Sequence, residues 1–217
     1  MNTKKRFILL TQVHTKITSS NLQSQGRLDI VLHSIITSLF ISHTFREDTT
    51  LEIICMGPPS NPKRISISYH KDQTISKKNL KKIIELAINK CKPNKEFEVH
   101  PGVLVKEINV DSYIEEYIHN KTKFCCILDG YGKHISMYRD SFKTILIDKK
   151  ELEDEIVFFL GDHEGISKKL KKSLKKSTNR LSLGSNIYFT SQACTILHYE
   201  LDSIEFLNLE ETEEGEE

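Results

Sequence analysis

The sequence predicts an α/β fold, with a mostly parallel sheet covered by helices on both faces. Short apolar runs alternate along the chain with longer amphipathic segments, as expected of strands joined by crossover helices. The apolar run Ile156–Leu160 is the clearest buried strand, and it passes directly into the glycine-flanked turn Gly161–Gly165. Because α/β proteins bind ligands at the carboxyl ends of their strands, we expect a ligand site at this turn.

The N-terminal half is predicted to supply three strands and two helices. Apolar residues three and four positions apart in Leu28–Phe40 predict an amphipathic helix that begins near Gly26 or Arg27. Ser76 can cap a second helix over Lys77–Asn89. The three strand segments are Arg6–Gln12, Leu51–Met56 and Arg64–Tyr69, and the alternation of the last one is typical of an edge strand.

The C-terminal half continues the alternation of strands and helices. Asp111 is predicted to cap a helix that ends at His119, a lysine-rich helix occupies residues 168–176, and a further amphipathic segment surrounds Cys194. A short strand is also expected just before Gly184. The other strands predicted here are Val103–Val105, Phe124–Leu128, Phe142–Ile147 and Ile156–Leu160.

Length and composition fit one domain with a short tail. The chain has 217 residues, and a hydrophobic content of 38% is enough to form a core. We interpret residues 1–209 as a single domain and residues 210–217, which include six glutamates, as a disordered acidic tail. Without those glutamates the net charge changes from +1 to +7, and this mildly basic body permits a nucleic-acid partner.

Several classes of protein are disfavoured by the same sequence. No apolar run approaches the roughly 20 residues that span a bilayer, so no membrane association is expected. The apolar segment near the N-terminus is too short for the core of a signal peptide. The five cysteines show neither CxxC pairs nor the spacing of zinc ligands, so we expect no metal and a reduced, cytoplasmic chain.

Glycine-containing turns at two predicted strand ends are candidates for ligand binding. Gly161 and Gly165 allow close approach of a nucleotide-like cofactor, although an ordinary strand-to-helix turn would have the same pattern. The loop Gly184–Asn186 could offer backbone hydrogen bonds to an adenine edge, or it could be a plain surface loop. Asp129-Gly130 is a second cofactor wall or a simple turn, and Cys194 alone is typical of small apolar packing.

Charged residues suggest a polar or RNA-facing side of the molecule. Arg27 and Asp29 stand two residues apart at the start of the first long helix, where an aspartate stays ionised. They could cap and pair with each other, or they could hold a substrate. Six lysines between Lys168 and Lys176 form either a solvated helix face or a surface that contacts RNA phosphates.

Seven short motifs, each weak alone, occur together in a specific order. Taken together, they resemble the TrmY family, the archaeal tRNA pseudouridine-N1-methyltransferases of the SPOUT class, from about Phe7 to Leu207. In chain order the motifs are Ile17–Ser20, Gly26–Asp29, Ser42-His43 with Arg46 and Asp48, Pro101-Gly102, Phe159–Gly165, Arg180–Leu183 and Cys194–His198.

The resemblance implies a SPOUT-type α/β domain whose C-terminal part is threaded into a deep trefoil knot, an exception to the usual unknotted topology. It also implies a homodimer that uses S-adenosylmethionine to methylate N1 of pseudouridine at position 54 in the tRNA T-loop. Two alternatives stay open. One is the same reaction on ribosomal RNA, and the other is a non-catalytic RNA-binding protein.

The resemblance also assigns roles to individual residues. Arg27 would hold the nucleotide, and Asp29 would orient it or accept a proton. The implied reaction needs no metal, because the methyl group on the sulfonium is already activated. The implied cofactor-binding residues are Leu128, Gly130, Gly161, Leu181, Ser182, Leu183, Gly184, Ser185 and Cys194.

Overall fold

A mixed eight-stranded sheet forms the centre of the fold in the computed structural model. The structure describes residues 4–18, 21–42, 44–93, 95–148 and 154–214, with side chains up to residue 208. Ser19, Ser20 and His43, which belong to the motifs above, lie outside the described residues. The strands are β1 (Lys5–His14), β2 (Phe40–Ile41), β3 (Thr44–Phe45), β4 (Thr49–Gly57), β5 (Lys63–Ser68), β6 (Phe97–His100), β7 (Val103–Glu107), β8 (Lys123–His134), β9 (Glu155–Gly161) and β10 (Asn179–Ser182).

Helices cover both faces of this sheet, which confirms the predicted α/β class. They are α1 (Leu28–Leu39), α2 (Leu80–Lys90), α3 (Val110–His119), α4 (Arg139–Lys143), α5 (Lys168–Ser177) and α6 (Thr190–Glu214). Side chains such as Phe7 and Phe158 pack in the core beneath α1, α2, α4 and α6. On the other face, Ile8 and Phe159 pack beneath α3 and α5. Among the described residues, no helix is long and apolar enough to cross a membrane.

The sheet is mixed rather than parallel throughout. Its strand order is β10-β8-β9-β1-β4-β5-β7-β6, and the pairs from β10 to β4 are parallel, while the remaining pairs are antiparallel. β5 pairs with both β4 and β7, so the prediction of an edge strand at Arg64–Tyr69 is wrong. Alternation along β5 reflects one face turned to the core and one to polar neighbours, and an interior strand can show the same pattern.

One predicted strand is helical, and two predicted caps are displaced. Residues 142–147 belong to α4 and a helical turn over Thr144–Asp148, since Phe142, Ile145 and Leu146 are buried with helical spacing. Asn109, not Asp111, caps α3 through a 3.0 Å bond from the amide of Ser112. The second helix begins at Leu80, three residues later than predicted, and Asn79 rather than Ser76 precedes it.

The long helix α6 packs along α1. It extends to Glu214, so the segment 210–217 that we interpreted as a tail starts within this helix, and residues 215–217 lie outside the described residues. The division of the chain at residue 209 therefore stays a prediction.

A partly buried polar cluster joins α6 to the amino ends of the strands. Arg46 makes two hydrogen bonds of 2.9 and 2.7 Å to Asp202, and Lys5, which is 1% exposed, pairs with Asp48 and Glu205. His198 lies among these groups with its Nε2 atom 2.8 Å from the carbonyl oxygen of Ser38. Burial, followed by the charge of Arg46, lowers the pKa of His198 to about 4.

We expect the stability of the protein to fall between pH 6.5 and pH 4 because of His198. The unfolded histidine takes up a proton near its ordinary pKa of 6.5, whereas the folded one resists protonation down to about 4. The free energy of unfolding therefore decreases by about 3 kcal/mol as the pH falls through this window. Urea unfolding at several pH values should show the loss, and His198→Gln should flatten it. An equally steep loss in that variant would assign the effect to other groups.

Candidate functional site

A cleft of about 340 Å³ opens where the sheet ends at β8 and β10. Its wall combines apolar side chains, exposed backbone and a few polar groups, which is typical of sites for small ligands. Larger clefts occur elsewhere, but this one lies at the carboxyl ends of parallel strands. Its lining residues are Leu128, Asp129, Gly130, Tyr131, Lys171, Leu181, Ser182, Leu183, Gly184, Asn186, Ile187, Tyr188 and Ala193.

The cleft lies where a bulge interrupts the pairing of β8 with β10. Arg180 pairs with Ile127, but the next residue, Leu181, pairs with Lys133, so residues 128–132 leave the ladder. β8 therefore continues beyond the expected turn at Asp129-Gly130, and this bulged segment forms one wall. Gly184, with φ of 119°, lets the opposite wall turn away from the sheet.

A buried carboxylate lies in the wall of the cleft. Asp129 is 6% exposed and receives hydrogen bonds from Arg180 Nε at 2.7 Å and from Lys175 Nζ at 2.8 Å. Burial alone would raise the pKa of Asp129, but the hydrogen bonds from these two cations outweigh it and the pKa is lowered. The carboxylate is therefore charged at neutral pH and braces β8 against α5 and β10.

The predicted turn Gly161–Gly165 lies beside the cleft and contacts the start of α6, which forms part of the cleft wall. The carbonyl oxygen of Gly161 accepts a 2.6 Å hydrogen bond from Thr190 Oγ1, at the start of α6. Ala193, one turn further along α6, is part of the cleft wall. A Cβ atom on Gly161 would lie 2.7 Å from the backbone of Gly165, so the turn closes too tightly for any side chain there.

We expect Gly161→Ala to weaken binding of S-adenosylmethionine, the cofactor that the family resemblance implies, by about tenfold or more. The added methyl group must displace the Gly165 backbone, and with it Thr190 and the adjoining wall of the cleft. Isothermal calorimetry with S-adenosylmethionine measures the effect. Gly102→Ala is a matched control, because its Cβ would also meet backbone, 2.4 Å from the carbonyl oxygen of Ser68, beside the antiparallel strands β5 and β7 and away from the cleft. This control should lower the stability of the protein without selectively lowering cofactor affinity. Equal cofactor affinities for the control and Gly161→Ala would contradict the prediction.

Arg27 and Asp29 form a strained, charged pair at the same edge of the sheet. Arg27 has φ of 58° and ψ of 48°, the left-handed region that costs a residue with a Cβ atom on the order of 1 kcal/mol or more. Its Nε and NH2 groups donate to the two Asp29 carboxylate oxygens at 3.0 and 2.9 Å. The hydrogen bond from Arg27 lowers the pKa of Asp29, so this carboxylate stays ionised.

Close contacts link this pair to the glycine turn. Gly26, immediately before Arg27, packs so tightly on β1 that a Cβ atom would lie 2.2 Å from the carbonyl oxygen of Gln12. The amide of Gln12 in turn donates a 2.8 Å hydrogen bond to Asp162, next to Gly161. The left-handed pair Gly26-Arg27 is therefore held at the carboxyl end of β1, between neighbouring strand ends.

The structure gathers most, but not all, of the predicted cofactor residues around one cleft. Leu128, Gly130, Leu181, Ser182, Leu183 and Gly184 line it, whereas Gly161, Ser185 and Cys194 do not. Cys194 is fully buried, and burial raises the pKa of its thiol to about 12, so it acts as packing behind the wall. Sequence reasoning missed Lys171 and Tyr188 on the wall, because their approach depends on how α5 and the loop before α6 pack.

Two further features of the described residues bear on the site. No group of three or more histidine, cysteine, aspartate or glutamate side chains could hold a metal ion within the part of the chain that the structure describes. Large apolar side chains are exposed after the bulge of β8, in the loop before α6 and along α6: Tyr131, Met137, Ile187, Phe189, Tyr199 and Phe206 are each between 59% and 100% exposed.

Comparison with known proteins connects this chain with RNA methylation. Residues 5–206 match the family described as "Putative SAM-dependent RNA methyltransferase". The tRNA (pseudouridine(54)-N(1))-methyltransferase of Thermococcus onnurineus is 23% identical over 189 residues, 83% of this chain and 86% of the relative. The enzyme of the same name from Methanopyrus kandleri is 25% identical over 194 residues, 86% of this chain and 85% of the relative.

A solved structure has the same fold. The crystal structure of Archaeoglobus fulgidus Nep1 bound to S-adenosylhomocysteine superposes with a TM-score of 0.56, covering 94% of this chain and 99% of that chain at 10% identity. The match supports the α/β architecture with its mixed sheet and flanking helices.

Proposed function

Because this chain belongs to the family of SAM-dependent RNA methyltransferases, we propose that it methylates N1 of pseudouridine 54 in the T-loop of tRNA. The observation that carries the proposal is the match to enzymes of that name over more than four fifths of both chains. The strained pair Arg27 and Asp29, which stands at the same sheet edge as the cleft, supports it independently. Since tRNA is the substrate in this proposal, we place the protein in the cytoplasm.

We propose that the cleft between β8 and β10 holds S-adenosylmethionine. Its apolar walls suit the flat adenine ring, and the open space beside Gly130 and Gly184, where a Cβ atom would meet nothing within 4 Å, suits a close ligand. The cofactor supplies a methyl group already activated by its positive sulfur. The chain's own residues have to fix the geometry of the pocket and exclude water.

On the substrate side, Arg27 and Asp29 position the nucleotide. Arg27 can donate to a phosphate or a base carbonyl, and Asp29 can accept a hydrogen bond from an imide N–H of the base. The lowered pKa of Asp29 makes it a weak proton acceptor, so an orienting and electrostatic role fits better than full proton transfer to the carboxylate. Both residues would raise the rate mainly by alignment of the target nitrogen.

The knot and the homodimer are part of the same proposal. Thr190 contacts Gly161 at the end of β9, and Cys194 and Leu197 of α6 are fully buried in the core that also contains Cys126 of β8. Such an enclosed path supports a threaded C-terminal segment. The exposed apolar side chains around the cleft, of which Ile187 is 100% exposed, support a second copy of the chain packed against this face.

The proposal is tested by methyl transfer to two matched tRNA transcripts. The protein is incubated with labelled S-adenosylmethionine and tRNA that carries either pseudouridine or uridine at position 54. Label should enter the first RNA alone, and mass spectrometry should place it at N1 of that nucleotide. Equal labelling of both RNAs, or a modified position in ribosomal RNA instead, would refute the proposed target. Absence of cofactor binding in calorimetry would refute catalysis altogether.

A further inference from the structure

The helix α5 carries more positive charge than its fold requires. Its ten residues include six lysines and no acidic residue. Lys168, Lys172 and Lys176 are exposed and follow one another at intervals of four, so they form one stripe along the outer face of the helix. We refer to these three residues as the lysine stripe.

Two of the other three lysines of α5 have acidic partners, and the third lines the cleft. Lys169 pairs with Asp111 at 2.6 Å, Lys175 pairs with Asp129 at 2.8 Å, and Lys171 lines the cleft. Within the part of the chain that the structure describes, no ion pair or hydrogen bond engages the side chains of the lysine stripe. Leu170 and Leu174 provide the buried face that attaches α5 to the core. The stripe is therefore not needed for packing.

The lysine stripe lowers the stability of its own helix. Like charges four residues apart repel each other by about 0.2–0.5 kcal/mol per pair, and the stripe contains two such pairs. Lys168 also stands in the first turn, where the helix dipole disfavours a positive charge, whereas the dipole favours Lys176 in the last turn, so the two effects of the dipole roughly cancel. Among the described residues, no carboxylate relieves this repulsion. An external polyanion would relieve it.

We infer that the lysine stripe is a docking surface for the phosphate backbone of the RNA substrate. This inference rests on the proposed function, because the chain's family acts on RNA. The stripe lies on the same helix as Lys171, which reaches the cleft, so an RNA bound there extends from the methylation site along α5. Lysine side chains contact phosphates as point charges and do not distinguish one base from another. The lysine stripe would therefore contribute affinity and fix the position of the RNA on the protein, without sequence specificity.

The test compares two triple variants of equal charge change. Lys168, Lys172 and Lys176 are changed to glutamine in one variant, and Lys77, Lys78 and Lys82, which are exposed near the start of α2, are changed to glutamine in the control. Because α2 follows the antiparallel strand β5, its start lies at the opposite edge of the sheet. Binding of pseudouridine-containing tRNA is measured by fluorescence anisotropy between 50 and about 300 mM salt.

We expect the stripe variant to bind tRNA about tenfold or more weakly at about 100 mM salt. The slope of log affinity against log salt should become shallower by about two to three, since each lost phosphate contact removes about 0.7–0.9. The control should stay within about twofold. Cofactor affinity, measured by calorimetry, should be unchanged in both, and thermal unfolding should show the stripe variant to be no less stable than the unmodified protein.

Several results would overturn the inference. An unchanged slope in the stripe variant, an equal loss in the control, or binding of the stripe to anionic lipid vesicles in place of tRNA would each do so. Failure of the proposed function is distinguishable from these. A protein that binds tRNA through the stripe but transfers no methyl group to pseudouridine would retain the docking surface and lose the assigned reaction.

Discussion

Arg6→Met is expected to lower the free energy of unfolding by about 3–5 kcal/mol, because it leaves a carboxylate buried without its main partner. Arg6 donates to Glu52 at 2.7 Å and to Glu155 at 2.9 Å, and these two carboxylates are 2% and 1% exposed. The guanidinium group also lies 5.7 Å from the centre of the Tyr117 ring. Glu155 keeps Lys123 at 2.7 Å, so the loss falls mainly on Glu52.

The pH dependence of this loss identifies its cause. Burial raises the pKa of Glu52 even with Arg6 present, and removal of the cation should raise it further. Since the folded pKa then exceeds the unfolded one, protonation favours the folded state, and the deficit should shrink as the pH falls from 7 to 5. Urea unfolding at both pH values measures this change.

A second variant distinguishes loss of the Arg6–Glu52 ion pair from the loss of an arginine side chain in general. Arg64→Met removes a guanidinium group that is 3.7 Å from Glu52 and also contacts the more exposed Glu96. It should cost about 1 kcal/mol. Combining Arg6→Met with Glu52→Gln should recover part of the stability, because the remaining partner is then neutral. A loss below about 1 kcal/mol for Arg6→Met would show that the cluster does not stabilise the sheet.

Asp29→Asn is expected to lower kcat by about tenfold to a hundredfold while cofactor affinity stays within about twofold. The amide keeps the size of the side chain but removes the charge that holds Arg27 in its left-handed conformation with two hydrogen bonds. Single-turnover methylation of pseudouridine-containing tRNA measures the rate, and calorimetry measures cofactor binding. A normal rate would remove Asp29 from the proposed mechanism.

The control for this variant is another first-turn aspartate with a cationic partner. Asp111 lies in the first turn of α3 and pairs with Lys169, so Asp111→Asn also removes a helix-start charge and an ion pair. Its rate should equal that of the unmodified protein. Because the pKa of Asp29 is already lowered, this carboxylate stays ionised between pH 5 and pH 8. The pH–rate profiles of the unmodified protein and of Asp29→Asn should therefore have the same shape in this range.

Local periodicity predicted the elements that depend on neighbours in sequence. The spacing in Leu28–Phe40 predicted α1, and the apolar run Ile156–Leu160 predicted β9. The same reasoning failed at residues 142–147, where apolar residues three and four positions apart were interpreted as a strand. It also failed at β5, since sheet position depends on the distant strand β7.

Some parts of the candidate site were likewise predictable from the sequence, and others were not. The motifs around Leu181–Gly184 and Gly26–Asp29 were recognisable in the sequence, because each lies within one short segment. The sequence did not reveal the bracing of Asp129 by Lys175 and Arg180, because this contact joins three elements. Nor did it reveal that Arg27 has a positive φ, because nothing in the residue type requires it.

By itself, the sequence determined the α/β class, the glycine turn after β9, and the ordered motifs that resemble an RNA methyltransferase family. These features follow from residue type and spacing within short stretches of chain. The tertiary structure alone decided that a bulge interrupts the pairing of β8 with β10 beside the cleft and that the Arg27–Asp29 pair stands at the same sheet edge. The first depends on the pairing of distant residues such as Ile127 and Arg180, and the second on contacts of Gln12 with Gly26 and with Asp162, which local patterns do not encode.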